Sequence, residues 1–279
     1  MRTFLDCYPC ILRQTIEASR MASATPAQQL AVVQQTLEIL KNLPEGVTPP
    51  AIARQAHRVV REVTGNPDPY FKVKSEATQQ ALALLPKLRA LLDSASDPLE
   101  TALRLSIAGN IIDFGPGSDY DLWEVVKKVL KQDFAINDLP LLRKQLNKVE
   151  SILFLGDNAG EDVFDVLLIE NLQAPVTYVV RGGPILNDAT LADGKAAGID
   201  RVATLIDNGA QAPGTILSLC SEDFQARFKA ADLILAKGMG NYETLSEVAA
   251  PIFFLLQVKC PIIGLDLGVP EGSIVIKQG

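Results

Sequence analysis

Apolar residues in the first half of the chain recur at the three- and four-residue spacing of helices. Helices are predicted at 11–21, 26–40, 50–63, 77–92, 98–109 and 121–130. Thr25 and Asp97 each precede a proline, an arrangement typical of a helix N-terminus, where the side chain caps the first turn. Because no alternating strand pattern interrupts this half, residues 1–145 are predicted to form an all-helical domain.

The pattern changes near residue 149, where short apolar runs begin to alternate with helical stretches. Strands are predicted at 152–155, 176–180, 202–206, 233–236 and 262–265, with an edge strand at 274–276. Helices are predicted at 163–172, 191–197, 224–230 and 243–249. Strands that alternate with helices are typical of a parallel sheet covered on both faces. The predicted fold class is therefore α/β, with a Rossmann-like, mostly parallel sheet domain at 146–279 after the all-helical N-terminal domain.

Composition narrows the class of protein. The 279 residues carry a net charge of −7 and are 48% hydrophobic, which is enough for a substantial core. The acidic balance argues against a general nucleic-acid binder, whose phosphate contacts need clustered Lys and Arg. The N-terminal stretch lacks the apolar segment of a signal peptide, and no apolar run approaches the roughly 20 residues of a membrane span. We therefore expect a soluble, cytoplasmic protein with neither a nucleic acid nor a membrane as partner.

Histidine and cysteine usage limits the kinds of metal site. His57 is the only histidine in the sequence, which excludes a histidine-rich zinc centre. The four cysteines do not make a disulfide framework in a chain of this length. Cys7 and Cys10 form one Cys-x-x-Cys motif, which supplies half a zinc site, a redox pair or two structural cysteines. These alternatives stay open, and any metal site must use mainly oxygen ligands or cysteines.

Three polar turns follow predicted strands, at 156–161, 181–190 and 237–243. In a parallel sheet the carboxyl ends of the strands open onto one edge, where ligands bind. The polar side chains expected in that crevice are Asp157, Asn158, Arg181, Asn187, Asp188, Lys237, Asn241 and Glu243. One such turn alone is more often a helix cap than a ligand site, because Asp, Asn and Gly are common in turns. Three turns with complementary chemistry at one edge favour a functional site.

The side chains of this crevice suit a hard divalent cation beside a phosphate group. Carboxylates and amide oxygens are the ligands that Mg²⁺ or Mn²⁺ prefers, and a lysine supplies positive charge to a phosphoryl oxygen. Glycines and a helix N-terminus let backbone N–H groups approach an anion. The Gly-Lys-Ser/Thr order of a Walker motif is absent, as is a Gly-x-Gly-x-x-Gly dinucleotide fingerprint after any strand. The pattern therefore indicates phosphate chemistry on a small molecule.

Together these motifs resemble those of the metal-dependent damage-control phosphatases, a family long described as a domain of unknown function. The matching segments span nearly the whole chain and comprise Cys7-x-x-Cys10, 66–70, Gly109-Asn110 with 113–115, 156–161, Asn187-Asp188 and 237–243. The Cys-x-x-Cys motif is similar to the one that marks the stand-alone prokaryotic subfamily. The resemblance implies a helical domain on a Rossmann-like domain, and hydrolysis of small phosphorylated metabolites, including sugar phosphates.

The resemblance also implies a divalent metal cofactor, typically Mn²⁺, Co²⁺, Ni²⁺ or Mg²⁺. The metal ligands that it implies are Asp157, Asn158 and Asp188, which with Lys237 form the catalytic set. The residues that it implies for contact with phosphate or substrate are Asn110, Arg181, Lys237, Asn241 and Glu243. Asp193 would support the site from outside it.

Two other kinds of function remain open. The Rossmann-like half also suits a nucleotide- or S-adenosylmethionine-binding protein such as a methyltransferase, although the glycine fingerprint is missing. The helical half would suit a non-catalytic interaction module. Substitution of Asp157 separates these functions, because it should abolish hydrolysis in a phosphatase and leave a helical-surface interaction largely intact. The sequence does not determine the substrate, the physiological metal, the oligomeric state, or whether phosphoryl transfer passes through an aspartyl intermediate.

Overall fold

The computed structural model describes residues 1–111 and 122–279. The helices in these ranges are α1 (Cys7–Met21), α2 (Pro26–Lys41), α3 (Pro49–Thr64), α4 (Phe71–Asp93), α5 (Pro98–Ile111), α6 (Leu122–Lys131), α7 (Leu139–Leu146), α8 (Glu161–Ile169), α9 (Leu191–Ala197), α10 (Glu222–Ala230), α11 (Gly238–Leu245) and α12 (Pro261–Leu267). The strands are β1 (Phe134–Asn137), β2 (Ile152–Leu155), β3 (Val176–Val180), β4 (Thr204–Asp207), β5 (Ile234–Lys237), β6 (Ile252–Gln257) and β7 (Ile274–Gln278). The motif at 113–115 lies outside the described residues.

The N-terminal helices begin and end where the sequence provides caps. Thr25 and Gln28 form a reciprocal capping box at the start of α2, in which each side chain bonds the other residue's backbone N–H. Pro49 occupies the first turn of α3, and Gly65 ends that helix in the left-handed conformation, with a φ of 71°. The buried faces of α1, α2 and α3 pack on one another.

Within the described residues, no helix is both long and apolar enough to cross a bilayer.

The strands of the described residues form one sheet, in the order β1-β7-β6-β5-β2-β3-β4. Neighbouring strands pair in parallel, apart from β6 and β7, which are antiparallel. From β2 the chain moves outward through β3 and β4, whereas β5 and β6 lie on the other side of β2. The boundary between β2 and β5 is therefore a topological switch point, where sheets of this kind bind ligands. The predicted class, α/β with a helical N-terminal region and a mostly parallel sheet, is confirmed.

Helices cover both faces of the sheet, as its apolar strands require. On one face, Phe154 of β2 shares a buried cluster with Leu88 of α4, Leu103 of α5 and Phe164 of α8. On the other face, Leu155 packs in a second cluster with residues of α10, α11 and α12. Helices α4, α5 and α6 of the N-terminal half thus lie in the same core as the sheet. The division into two domains at residue 145 stays a prediction.

One strand falls inside the half that was expected to be all helical, so that expectation was wrong at this point. Phe134–Asn137 forms β1, which pairs in parallel with β7. Its four residues alternate between half-buried and exposed positions, a pattern too short to separate a strand from a loop. The segment is a strand because β7 lies beside it, and β7 comes from the far end of the chain.

The last part of the sheet also differs from the prediction. The apolar run at 262–265 lies in helix α12 (Pro261–Leu267). Gly268 follows this helix in the left-handed conformation, with a φ of 70°. The strand beside β5 is instead β6, whose residues are buried along nearly its whole length and therefore show no alternation. The final strand, β7, was predicted at an edge but lies between β1 and β6. The first two errors share one cause, since a short apolar run fits a buried strand and a buried helix equally well. The position of β7 depends on the order of the strands, which no local pattern reports.

Candidate active site

Three neighbouring strands position the polar side chains of the site. Asp157 follows β2, Arg181 follows β3, and Lys237 is the last residue of β5. These strands lie side by side in the order β5-β2-β3, so the three side chains meet at the carboxyl edge of the sheet. The turns after β2 and β3 are also paired through their backbones, by a bridge between Asn158 and Asp188. The first two polar turns therefore hold each other in place at the switch point.

The Asp157 carboxylate lies at the centre of the cluster. Its Oδ2 accepts hydrogen bonds from the side-chain amides of Asn110, at 2.9 Å, and Asn158, at 3.0 Å. The same two amides donate to Oε2 of Glu161, at 2.8 Å and 3.1 Å. Asn110 belongs to α5, so the helical half contributes a side chain to the site. Two carboxylates thus share two amide donors.

The guanidinium group of Arg181 contacts two carboxylates, those of Asp188 and Asp157. Its Nε donates to Oδ2 of Asp188 at 2.6 Å, and its Nη2 is 3.5 Å from Oδ1 of Asp157. The side chain is only 1% exposed, yet its Nη1 has no hydrogen-bond partner among the described residues. A buried donor without an acceptor is costly. Nη1 therefore keeps its donors unused inside the cluster.

Lys237 is bound to acidic groups inside the protein. Its ammonium donates to Oδ1 of Asp165 at 2.8 Å, to the carbonyl of Ser106 at 3.0 Å, and to Oε1 of Glu161. Burial alone would lower the pKa of Lys237, but Asp165 and Glu161 outweigh it and raise the pKa to about 12. Lys237 is therefore charged, and these three contacts use its three donors.

The remaining predicted site residues lie in α11 and in the second polar turn, and their surroundings differ. Asn241 is buried, and its Nδ2 donates to the backbone carbonyls of Gly156, at 3.1 Å, and Lys237, at 2.7 Å. Its Oδ1 accepts from the hydroxyl of Thr215 at 2.8 Å. Through its two Nδ2 contacts, the amide joins the end of β2 to the end of β5. Glu243 lies two residues further along α11 and lines a cavity beside the cluster. Asn187 takes part through its backbone, since its carbonyl accepts from Ala159 at 2.9 Å.

The buried site carries more acids than bases. The buried acids at or next to it are Asp157, Glu161, Asp162, Asp165 and Asp188, and the buried cations are Arg181 and Lys237. Burial, and then the charges of Glu161 and Asp188, raise the pKa of Asp157 well above its ordinary value. Burial also raises the pKa of Asp188, against the lowering effect of Arg181. Ionised carboxylates at this density need further positive charge.

This excess of buried carboxylates is the observation that fits a divalent cation. Asp157, Asp188 and the amide of Asn158 provide the hard oxygen donors that Mg²⁺ and Mn²⁺ prefer. Among the described residues, no group of three or more His, Cys, Asp or Glu side chains is placed to hold a metal ion. A cation here would therefore take two carboxylates and an amide, and water would complete its shell.

Two buried acids of α8 were not singled out from the sequence. Glu161 joins Lys237 to the two amides, and Asp165 joins Lys237 to the hydroxyl of Tyr178, at 2.7 Å. A signal for them was present, since α8 carries Glu161, Asp162 and Asp165 among residues that are otherwise apolar. Two acids on the buried face of such a helix indicate a partner in the interior.

Asp193, expected to support the site from outside it, lies in the first turn of α9. Its Oδ2 accepts from the backbone N–H of Thr190 at 2.9 Å and from Nζ of Lys74 at 2.9 Å. Lys74 is buried and also contacts Oδ2 of Asp68 at 2.8 Å. The turn at 66–70, for which the sequence suggested no chemistry, therefore connects the helical half to the loop that carries Asp188.

The fold and this cluster define a Rossmann-like protein with a buried cluster of acidic and cationic side chains at the edge of its sheet. The chain matches the family model described as "Damage-control phosphatase ARMT1-like domain" over residues 3–275. It is 36% identical to damage-control phosphatase PH1575 of Pyrococcus horikoshii, with 99% of this chain and 97% of that one covered. It is 34% identical to a damage-control phosphatase of Archaeoglobus fulgidus, with 97% of each chain covered.

A solved structure agrees with these relatives. The crystal structure of PH1575, described as a DUF89 family protein, is similar with a TM-score of 0.92 at 33% identity, and covers 100% of this chain and 99% of that one. The chain therefore belongs to the damage-control phosphatase ARMT1-like family, which confirms the family predicted from its motifs.

Proposed function

We propose that the protein is a divalent-metal-dependent phosphatase that hydrolyses small phosphorylated metabolites, either sugar phosphates or reactive, damaged phosphate esters. The observation that carries this proposal is the pair of buried carboxylates, Asp157 and Asp188, on either side of the Arg181 guanidinium at the switch point. Membership of the damage-control phosphatase family supports it.

Asp157, Asn158 and Asp188 would hold the cation, which is Mn²⁺, Co²⁺, Ni²⁺ or Mg²⁺ in this proposal. When bound, the cation supplies positive charge that stabilises the phosphoryl oxygens and the attacking oxygen. Arg181 is oriented by its bond to Asp188, and its unpaired Nη1 donates to a phosphoryl oxygen as negative charge develops there. The attacking oxygen comes from water or from a carboxylate.

The other residues of the cluster position these groups. Lys237 neutralises Glu161 and Asp165, and Glu161 in turn orients the amides of Asn110 and Asn158. In this proposal Lys237 therefore acts through its neighbours, instead of through the direct phosphate contact that the resemblance implies. Asn110 is the contact of the helical half with the site, while Asn241 holds the ends of β2 and β5 together.

The test is phosphate release from a panel of small phosphate esters by metal-stripped protein, with and without each of the four cations. Asp157→Asn removes one charge at nearly constant shape, and Asp232→Asn makes the same change at an exposed position. We expect metal-dependent turnover in the wild type and in Asp232→Asn, and a loss of at least about 100-fold in Asp157→Asn. Calorimetric titration of Mn²⁺ into the same three proteins should show weaker binding in Asp157→Asn alone. Equal metal affinity and turnover in Asp157→Asn would refute the assignment.

A further inference from the structure

A cavity of about 380 Å³ opens beside the cluster, and none of the roles described above accounts for it. It lies between α1, the start of α3, α11 and the start of α12. Its wall includes apolar side chains such as Ile11, Ile262 and Met239, together with three of the four cysteines, Cys7, Cys10 and Cys260. A volume of this size is within the range of small-molecule pockets.

The cysteines of this cavity act as wall residues. All are free thiols, and burial raises the pKa of Cys7 and of Cys10 above the ordinary value. Protonated, half-buried thiols behave as small apolar groups, whereas metal ligands and redox pairs use thiolates. In the part of the chain that the structure describes, these thiols do not belong to a group of His, Cys, Asp or Glu that could hold a metal ion.

The cavity adjoins the segments of the chain that hold Asp157 and Asp188. Met239 lines it and follows Gly238, whose α-carbon packs directly on the Asp157 carboxylate. Leu186 also lines it and lies two residues before Asp188. Neither carboxylate lines the cavity itself, so it is the neighbouring space into which the organic part of an ester held at the cluster would extend.

Charged side chains occur at the mouth of the cavity. Arg13 and Lys259 line the cavity, and both are exposed. Glu243 lines the cavity as well, and burial raises its pKa to about 7. Asp6 is exposed there as well, so two cationic and two acidic side chains line the cavity, while the rest of its wall is largely apolar.

We propose that this cavity holds the organic part of the phosphate ester, and that the substrate is the monoester of a compact, mostly apolar alcohol instead of a polyhydroxylated sugar. The inference rests on the proposed phosphatase function and narrows its substrate class. Apart from Gln14 and the charged side chains, the wall consists of apolar side chains and thiols. These offer few hydrogen-bond acceptors, so the hydroxyl groups of a sugar bound against them would lose their water without replacement. An alkyl or aryl group loses nothing on entry and is removed from water.

The first experiment compares two esters of similar size but different polarity, n-butyl phosphate and glycerol 3-phosphate, with the Mn²⁺-loaded protein. We expect kcat/KM to be at least fivefold higher for n-butyl phosphate. The intrinsic reactivity of the two esters works in the opposite direction, since glycerol is the better leaving group. A preference for glycerol 3-phosphate would overturn the inference.

The second experiment narrows the cavity without touching the cluster. Ile262→Phe places a larger side chain in the wall, and Leu265→Phe makes a similar change on an exposed part of the same helix. We expect Ile262→Phe to lower kcat/KM for n-butyl phosphate at least tenfold, mainly through KM, and to change it less than twofold for methyl phosphate. Leu265→Phe should leave both substrates within twofold of the wild type.

A binding measurement separates failure of this inference from failure of the proposed function. Calorimetric titration with n-butylphosphonate, which cannot be hydrolysed, reports the pocket even in a protein without turnover. Binding that Ile262→Phe weakens at least tenfold supports the pocket, whether or not the esters are hydrolysed. Turnover or binding of the butyl compounds that Ile262→Phe leaves unchanged would overturn the pocket and leave the phosphatase function standing.

Discussion

Gly238 offers the sharpest test of how the fold builds the site. It begins α11 with a φ of 77°, a conformation that favours glycine. A Cβ at this position would overlap Oδ2 of Asp157 and approach the Asp157 Cβ to 3.1 Å. Gly268 provides a matched control, because it has a φ of 70° and a Cβ there would meet nothing within 4 Å. Alanine therefore strains the backbone at both positions but displaces Asp157 at only one.

The structure separates the two expected effects in size. Left-handed backbone costs a non-glycine residue about 1–2 kcal/mol, so either variant should lose about that much stability. This corresponds to a fall of a few degrees in the thermal midpoint of a protein of this size. In Gly238→Ala the Asp157 carboxylate must also retreat by on the order of 1 Å, and a displacement of that size costs about 100-fold in rate.

The assay combines thermal unfolding with metal-dependent phosphate release on the same preparations of both variants. We expect Gly268→Ala to lose stability but to keep turnover within about twofold of the wild type. Gly238→Ala should lose about 100-fold in kcat/KM and should also bind Mn²⁺ more weakly. If Gly238→Ala turned over substrate and bound Mn²⁺ as Gly268→Ala does, the contact between Gly238 and Asp157 would not position the carboxylate, and the reasoning would be wrong.

Three further predictions concern buried polar groups outside the reacting centre. Lys74→Met leaves two carboxylates without their shared cation and should cost about 3–5 kcal/mol in the free energy of unfolding, measured in urea. Tyr178→Phe removes a 2.7 Å hydrogen bond to Asp165 and should cost about 1.5–3 kcal/mol in the same assay. Burial, with a smaller effect from Arg61, lowers the pKa of His57 to about 3, so the unfolded chain binds a proton below pH about 6.5 that the folded chain does not. The contribution of His57 to stability is therefore full above that pH, and should fall by about 1.4 kcal/mol between pH 7.5 and 5.5.

Each of these predictions has a control variant or an outcome that would contradict it. Lys72→Met changes a lysine on the same helix that is 86% exposed, and it should cost little; an equal loss in the two lysine variants would contradict the role of Lys74. A Tyr178→Phe protein as stable as the wild type would show that the hydroxyl contributes nothing net. His57→Leu should abolish the fall of about 1.4 kcal/mol in the free energy of unfolding between pH 7.5 and 5.5. If the variant lost as much stability over this range as the wild type, the titration would belong to another group.

The sequence alone carried much of the fold. Helical spacing with capping residues such as Thr25 and Gly65 predicted the N-terminal helices, because these signals act within a few residues along the chain. Strand–turn–helix alternation predicted the parallel sheet and its carboxyl edge. It also indicated that Asp157, Asp188 and Lys237 would meet, since that edge collects the turns after parallel strands.

What the sequence left undecided was the choice between structures that suit the same short apolar run. Residues 262–265 and 252–257 are both apolar, but Ile252–Gln257 is the strand because it has β5 and β7 on its two sides. Phe134–Asn137 became a strand through β7, which is more than a hundred residues away in the chain. Such pairings are long-range contacts that no local pattern reports.

The site shows the same division. The residue types of the three turns indicated a hard cation and a phosphate, because ligand chemistry belongs to the side chains themselves. The network that gives each side chain its role was decided by tertiary structure alone. Glu161 and Asp165 bind Lys237 because α8 packs against the end of β5, and Asn110 reaches Asp157 because α5 packs on α8. Charges separated along the chain become one buried network only when the core brings them out of water together.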